Sequence, residues 1–275
     1  MNTAQIVGAS VGGGIGLLAL IGGAVAAYLR FRPIDPGPEP LKAGIPPEVF
    51  AQLYQATFDV SRILEKAKIR YWAKDGTSLG QVRHGGIIPW DDDVDLAIHE
   101  DDRKKFLALR GDFDKCGYGL SKWWGGYKVY KKDGQSTGFK WKFPFVDIFF
   151  MKPQGDWMIH SSSKARKVWP KEKFKKSEFL PLKKMRFGDF NLNSINKPKT
   201  VLKRQYGEDV FTHAYRQYDH KLERAVKKVK VELAPADKVP GRPTAVVLDE
   251  CMKGAPRLGR RRASTFWTTT IGEKK

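Results

Sequence analysis

The chain has 275 residues and carries 50 Lys+Arg against 30 Asp+Glu, a formal net charge of +20. With 41% hydrophobic residues, 8 Trp and 16 Phe it is too aromatic for a wholly disordered chain, and its length suits one ordinary domain with appendages. Its two cysteines, Cys116 and Cys251, exclude a disulfide scaffold and any all-cysteine zinc or iron-sulfur site, while the charge points to nucleic acid, an anionic membrane surface or a phosphate-bearing substrate without choosing among them.

From Ile6 to Leu29 the chain runs 24 residues without a charge, about 36 Å of helix at ~1.5 Å per residue and enough to span a bilayer. No Lys or Arg precedes the run, as a cleaved signal peptide requires, so residues 1–32 read as a retained single-pass membrane anchor. Arg30 and Arg32 just after the span place the following domain in the cytosol by the positive-inside rule. Pro33, Pro36, Pro38, Pro40, Pro46 and Pro47 make residues 33–47 a stiff Pro-rich linker.

The folded domain is expected over residues 48–234. Val49, Phe50, Leu53, Tyr54, Phe58, Ile63, Leu64 and Ala67 follow helical spacing, with Pro47 suited to the first turn. A short strand is predicted at Ile69–Ala73, a short helix at Thr77–Arg83, a strand at Val94–Ile98 and a polar helix from about Asp101. Phe143–Met151 reads as a buried strand. Residues 196–206 form a helix opened by Pro198 and stopped by Gly207, and Tyr218–Leu233 reads as a further basic helix. Between Lys164 and Arg186 ten Lys/Arg face only Glu172 and Glu178, interleaved with Trp169, Phe174 and Phe179; this is either a solvated surface or an anion-binding face. Residues 235–275 read as a mobile basic tail.

The most informative segment is DGTSLGQVRHGGIIPWDDDVDLAI at 75–98. Asp91, Asp92, Asp93 and Asp95 lie within five positions, and charges this dense repel unless a cation or strong donors sit among them. On a strand, Asp93 and Asp95 share one face while Val94 and Leu96 point into the core, which sets two hard oxygen ligands side by side for Mg²⁺ or Mn²⁺. An EF-hand starting at Asp91 fails, because Leu96 and Asp102 stand where Gly and Glu are needed; a zincin motif from His99 fails at Arg103; no P-loop is present. A solvated acidic turn is the plain alternative, opposed by Pro89-Trp90 before and the alternating aliphatics after. Asp147, the one charge in FPFVDIFFM at 143–151, needs a metal, a proton or a salt bridge to one of the many lysines. Gly76-Thr77 after a strand gives a turn into a helix whose amides, with the Ser78 hydroxyl and Arg83, suit a phosphate. Phosphate turn, paired carboxylates and third carboxylate together describe a nucleotidyltransferase-type site. Tyr71, Trp72, Trp123 and Trp124 are candidates for stacking on a base or sugar, but buried aromatics are more often core.

At these residues the sequence resembles the LicD family, which includes the fukutin-related glycan-modifying enzymes. The resemblance rests on 75–98, on 143–151 and on NKPKTVLKRQYGEDV at 196–210. It implies an α+β fold, a nucleotidyltransferase-like mixed sheet flanked by helices, and transfer of a phospho-substituent such as phosphocholine or an alditol phosphate from a CDP-linked donor to a glycan or glycoconjugate hydroxyl. By the same resemblance Asp93 and Asp95 match the metal carboxylates, Asp91 is a helper and Asp147 is the third acidic position; Golgi relatives favour a lumenal domain, against the charge rule. Two other readings compete: a nucleotidyltransferase acting on nucleic acid, and a non-catalytic membrane-tethered binding protein. The anchor and the resemblance oppose the first, so no nucleic-acid partner is expected; the intact carboxylates oppose the second.

Overall fold

The computed structural model describes residues 45–220 and 224–241, with the isolated positions 32, 33, 35, 41 and 246. Among these residues no helix is long and apolar enough to cross a membrane; the span expected at Ile6–Leu29, most of the linker and the tail from 247 onward lie outside them.

The opening helix α1 (Pro47–Lys66) starts with Pro47 in its first turn, where a missing N–H costs nothing, and carries Glu48 near its N-terminus and Lys66 near its C-terminus, as the helix dipole favours. Its apolar stripe is buried, with Leu53, Val60 and Leu64 fully enclosed. Strand β1 (Tyr71–Ala73), helix α2 (Asp75–Arg83) and strand β2 (Val94–His99) follow, then a 3-10 turn (Glu100–Asp102) and helices α3 (Arg103–Ala108) and α4 (Arg110–Lys115). Strands β3 (Tyr118–Lys122), β4 (Gly126–Ser136), β5 (Lys142–Gln154) and β6 (Trp157–His160), helix α5 (Ser163–Val168), and strand β7 (Phe174–Lys175) complete the main sheet. Its order is β1-β2-β5-β4-β3, with β6 and β7 continuing from β5. Only β2 and β5 are parallel; the other pairs are antiparallel, so the sheet is mixed.

Alternation along β2 and β5 decides what the sheet's two faces carry. Val94, Leu96 and Ile98 of β2 and Val146, Ile148 and Phe150 of β5 pack with α1 in the larger core. Ala97, Phe149 and Met151 point to the other face, where they pack with Trp72, Phe174 and Phe179. Asp95 and Asp147 share the parity of this second face. A slip of one residue in either strand would drive the aspartates into the hydrocarbon core, so burial itself pins the register.

After helix α6 (Lys176–Phe179) come the hairpin β8 (Lys183–Phe187) and β9 (Phe190–Ser194), helix α7 (Pro198–Tyr206) ending at Gly207 with φ +115°, and a 3-10 turn at Glu208–Phe211. The basic helix expected at Tyr218–Leu233 is instead the hairpin β10 (His213–Asp219) and β11 (Arg224–Glu232). The reason lies in the segment itself: Val226, Val229 and Val231 are β-branched, Val229-Lys230-Val231 alternates with period two, and Val226 is buried against the domain. Order also continues past 234, where the basic tail was expected to begin. Pro235–Lys238 forms a 3-10 turn, and Gly241 donates its N–H to Ile87 O (2.8 Å) while accepting from the Tyr54 hydroxyl (3.1 Å).

Candidate active site

The parallel pairing of β2 and β5 aligns Asp95 with Asp147 directly, and Asp93, one pleat before Asp95, completes the group. Carboxylate oxygens of Asp93, Asp95 and Asp147 lie within 4.8 Å of one another. Asp93 and Asp147 are buried, with 6% and 3% exposure, and the solvated-turn alternative therefore does not describe them. Burial, then Asp93, Asp75 and Asp147, push the Asp95 carboxyl well above the usual carboxylate range; burial, only partly offset by His220, does the same for Asp93. Asp91 is raised to about 6, chiefly by burial, with His220 and Arg83 working against the rise.

An oxygen-only donor set drawn from two paired strands and the residue that leads into one of them, desolvated and mutually repelling, fits a hard divalent cation such as Mg²⁺ or Mn²⁺. Asp93, Asp95 and Asp147 would hold it. A second group, Asp91, Asp93 and His220, also brings its ligand atoms within 4.8 Å and shares Asp93 with the first. His220, in the turn after β10, sets Nδ1 2.6 Å from Asp92 Oδ1 and Nε2 3.2 Å from Asp93 Oδ2. Burial alone would lower its basicity, but Asp93 and Asp92 hold it well above the usual histidine range.

Two lysines missing from the sequence-level site balance its charge. Lys128 of β4 is opposite Asp147 in the antiparallel register, 2% exposed, and donates from Nζ to Asp147 Oδ2 (2.9 Å). Its ammonium lies 3.5 Å from the centre of the Phe145 ring and 4.7 Å from that of Trp123, an aromatic setting that compensates lost water. The salt bridge offered as the alternative for Asp147 thus exists, and it coexists with the carboxylate cluster. Lys74 is the second: its N–H donates to Asp95 O (3.0 Å), and its buried ammonium contacts both Asp75 and Glu172.

Of the residues expected around a donor phosphate, Gly76, Thr77 and Ser78 gather at the start of α2. Thr77 is also structural, its hydroxyl accepting from Asp95 N (2.7 Å) and so tying the turn to the Asp-x-Asp strand. Asp75 adopts φ +44°, a left-handed conformation that Asp tolerates better than most residues, and Gln205 of α7 donates to it. The third segment carrying the family resemblance therefore packs on the first. Arg83 stands at the other end of α2, donating from Nη1 to Val210 O (2.7 Å) and His213 O (2.9 Å). Tyr71 and Trp72 are core residues, 0% and 1% exposed, whereas Trp124 is exposed and stacks on Trp169 (4.9 Å, 26°).

Gly76 has a steric reason: a Cβ there would lie 2.5 Å from Asp91 Oδ2. Gly76→Ala is accordingly expected to displace Asp91 and weaken Mn²⁺ binding about tenfold, as loss of a supporting contact does at metal sites. Calorimetric titration checks this, and an unchanged affinity would remove Asp91 from the site.

An Asp-x-Asp segment beside a parallel strand with a third carboxylate, under a glycine turn, thus sits in an α+β domain built on a mixed sheet flanked by helices. Residues 68–196 match the family model "LicD/FKTN/FKRP, nucleotidyltransferase domain". An uncharacterized protein of Rickettsia prowazekii is 32% identical over 201 residues, covering 72% of this chain and 71% of that protein. The human ribitol 5-phosphate transferase FKRP is 46% identical over 66 residues, 24% of this chain and 13% of its own length. The lipopolysaccharide cholinephosphotransferase LicD of Haemophilus influenzae is 44% identical over 47 residues, 17% of this chain and 18% of its own. The chain belongs to the LicD/fukutin-related family.

Proposed function

We propose that the protein transfers a phospho-substituent, phosphocholine or an alditol phosphate, from a CDP-linked donor to a hydroxyl of a glycan or glycoconjugate, with Mg²⁺ or Mn²⁺ as cofactor. The observation that carries this reading is the convergence of Asp95 and Asp147 from two parallel strands with Asp93, the residue that leads into the first of them. It is supported by relatives named as a ribitol 5-phosphate transferase and a cholinephosphotransferase.

The acceptor oxygen forms a bond to the phosphorus that bears the transferred group, the bridging P–O bond breaks, and CMP leaves with the electron pair. A divalent cation, when bound, offsets donor charge and stabilises the leaving phosphate. Asp93 and Asp95 fix the ligand positions, and Asp91 supports them from the edge. Gly76 and Thr77 present amides, and Ser78 its hydroxyl, to the donor phosphates; the Ser78 amide itself donates to Lys74 O (3.0 Å). Asp147, held by Lys128, either completes the ligand set or takes the acceptor's proton. On the same reading the uncharged run Ile6–Leu29 anchors the domain at a membrane carrying its acceptor.

Incubating the full chain in detergent with a panel of CDP-linked donors and a glycan extract, and following CMP, tests the proposal. CMP release from one donor class together with label incorporation into glycan is expected. Incorporation of nucleotide into RNA or DNA would favour the nucleic-acid enzyme instead.

A further inference from the structure

The first residue of α2 is an aspartate, and its side chain does not do what an acidic residue at a helix start ordinarily does. A carboxylate there is drawn to the amides of the first turn, where it accepts hydrogen bonds and meets the positive end of the helix dipole. Among the described residues, Asp75 instead takes its hydrogen bonds from elsewhere: Oδ2 from the Lys74 ammonium, and Oδ1 from the Gln205 amide of α7 (2.5 Å). The amides that open α2, the ones assigned above to a donor phosphate, are thereby left uncovered by the nearest negative charge.

Lys74 is itself fixed on every side. Its N–H donates to Asp95 O (3.0 Å), and its carbonyl accepts from Ser78 N (3.0 Å). Its side chain is 6% exposed, runs over Phe149 with Nζ 4.6 Å from the ring centre, and reaches Glu172 Oε2 at 2.5 Å. His160 Nε2 meets the same Glu172 oxygen at 2.8 Å. Burial, then the charge on Lys74, holds that imidazole down to about 3, so it is neutral and donates its proton to Glu172. Burial also opposes the Lys74 charge, but Asp75, Glu172 and Asp95 hold the ammonium above the ordinary lysine range. A buried cation shared between two carboxylates is weak as a source of stability, because well-packed apolar residues of similar volume serve at least as well; what such a group can supply is orientation. Without Lys74, the Asp75 carboxylate would turn to the amides of Gly76 and Thr77, fill the place of the phosphate and repel it.

We infer that Lys74 is a positioning residue of the donor site: clamped by Glu172, it holds the Asp75 carboxylate away from the amides that begin α2 and so keeps them open to a phosphate. That role rests on the donor reading proposed above for the same turn.

Calorimetric titration of the full chain in detergent with CDP, at saturating Mn²⁺, tests it, and Asp75 supplies the discriminating variant. Lys74→Met should weaken CDP binding at least ~10-fold while Mn²⁺ affinity does not fall. Lys74→Gln serves in its place if the methionine variant does not fold. Glycine suits the φ of +44° at position 75, so Asp75→Gly removes the carboxylate without straining the turn. Added to Lys74→Met, it should return CDP binding to within about threefold of wild type, since the competing carboxylate is gone. Lys74→Arg, which keeps the charge, should lose less than Lys74→Met. Where a CDP-linked donor is turned over, Lys74→Met should raise the donor KM, and Asp75→Gly should lower it again. CDP binding unchanged in Lys74→Met would overturn the inference, as would a loss that Asp75→Gly does not relieve, which is the behaviour of a purely structural lysine. A wild type that binds no CDP would overturn this role and the donor reading together. The expected pattern of CDP binding in a protein that turns over no CDP-linked donor would sink the transferase reading and leave the role of Lys74 standing.

Discussion

Asp93→Asn and Asp95→Asn should each stay folded and release CMP at least ~100-fold more slowly, a barrier increase of roughly 2.7 kcal/mol. Asn keeps the side chain's shape and removes its charge, so a ligand role separates from a packing role. The same substitutions are expected to raise the melting temperature of the metal-free protein. A carboxyl whose basicity is raised by folding binds its proton more tightly in the native state than in the unfolded chain, so at neutral pH its ionised form destabilises the fold. That penalty is fully present above the raised native value and disappears as pH falls towards the ordinary carboxylate range. The stability gap between wild type and Asp95→Asn should therefore be widest at alkaline pH and narrow on acidification towards the ordinary carboxylate range. Asp93→Asn should gain less, because His220 already offsets Asp93. Thermal melts in chelator across pH check the sign, and a wild type more stable than both variants at neutral pH would contradict it.

Lys128→Met is expected to be the most damaging single change to the fold. It keeps the apolar stem in its aromatic surroundings but takes the ammonium from Asp147, and removing one partner of a buried pair costs about 3–5 kcal/mol. Adding Asp147→Asn should recover much of that loss, since the charge to be compensated is then gone, although turnover stays abolished. Denaturant unfolding of the two single variants and the double variant gives the coupling directly. A Lys128→Met protein as stable as wild type would mean that the pair is not formed. For Asp147→Asn alone, weakened metal binding assigns Asp147 as a ligand, and unchanged binding with lost turnover assigns it as the base.

What the sequence revealed depended on locality. The Asp-x-Asp strand was legible because its alternating aliphatics fix which face the carboxylates take, and Asp147 because it is the one charge in an apolar strand. Helix α1 and the stop at Gly207 were marked by periodicity and by Pro and Gly at the ends. Lys128 was invisible among 50 Lys+Arg, for only the pairing of β4 with β5 singles it out; Tyr127 and Val129 on either side were the available hint that it faces away from the larger core. Lys74 was hidden in the same way, since its partner Glu172 is nearly a hundred positions distant and lies in a stretch whose overall charge is positive. His220 was obscured by reading Tyr218–Leu233 as helix, a reading the β-branched alternation in Val229–Val231 argued against.

Chelation tests the central claim most directly. CMP release from the preferred CDP-linked donor, measured on the full chain with EDTA and then with excess Mg²⁺ or Mn²⁺, should fall to background and return, and Asp95→Asn should show no such return. Wild-type activity that persists in chelator, or Asp93 and Asp95 variants that retain it in full, would contradict a metal-dependent transferase built on these carboxylates.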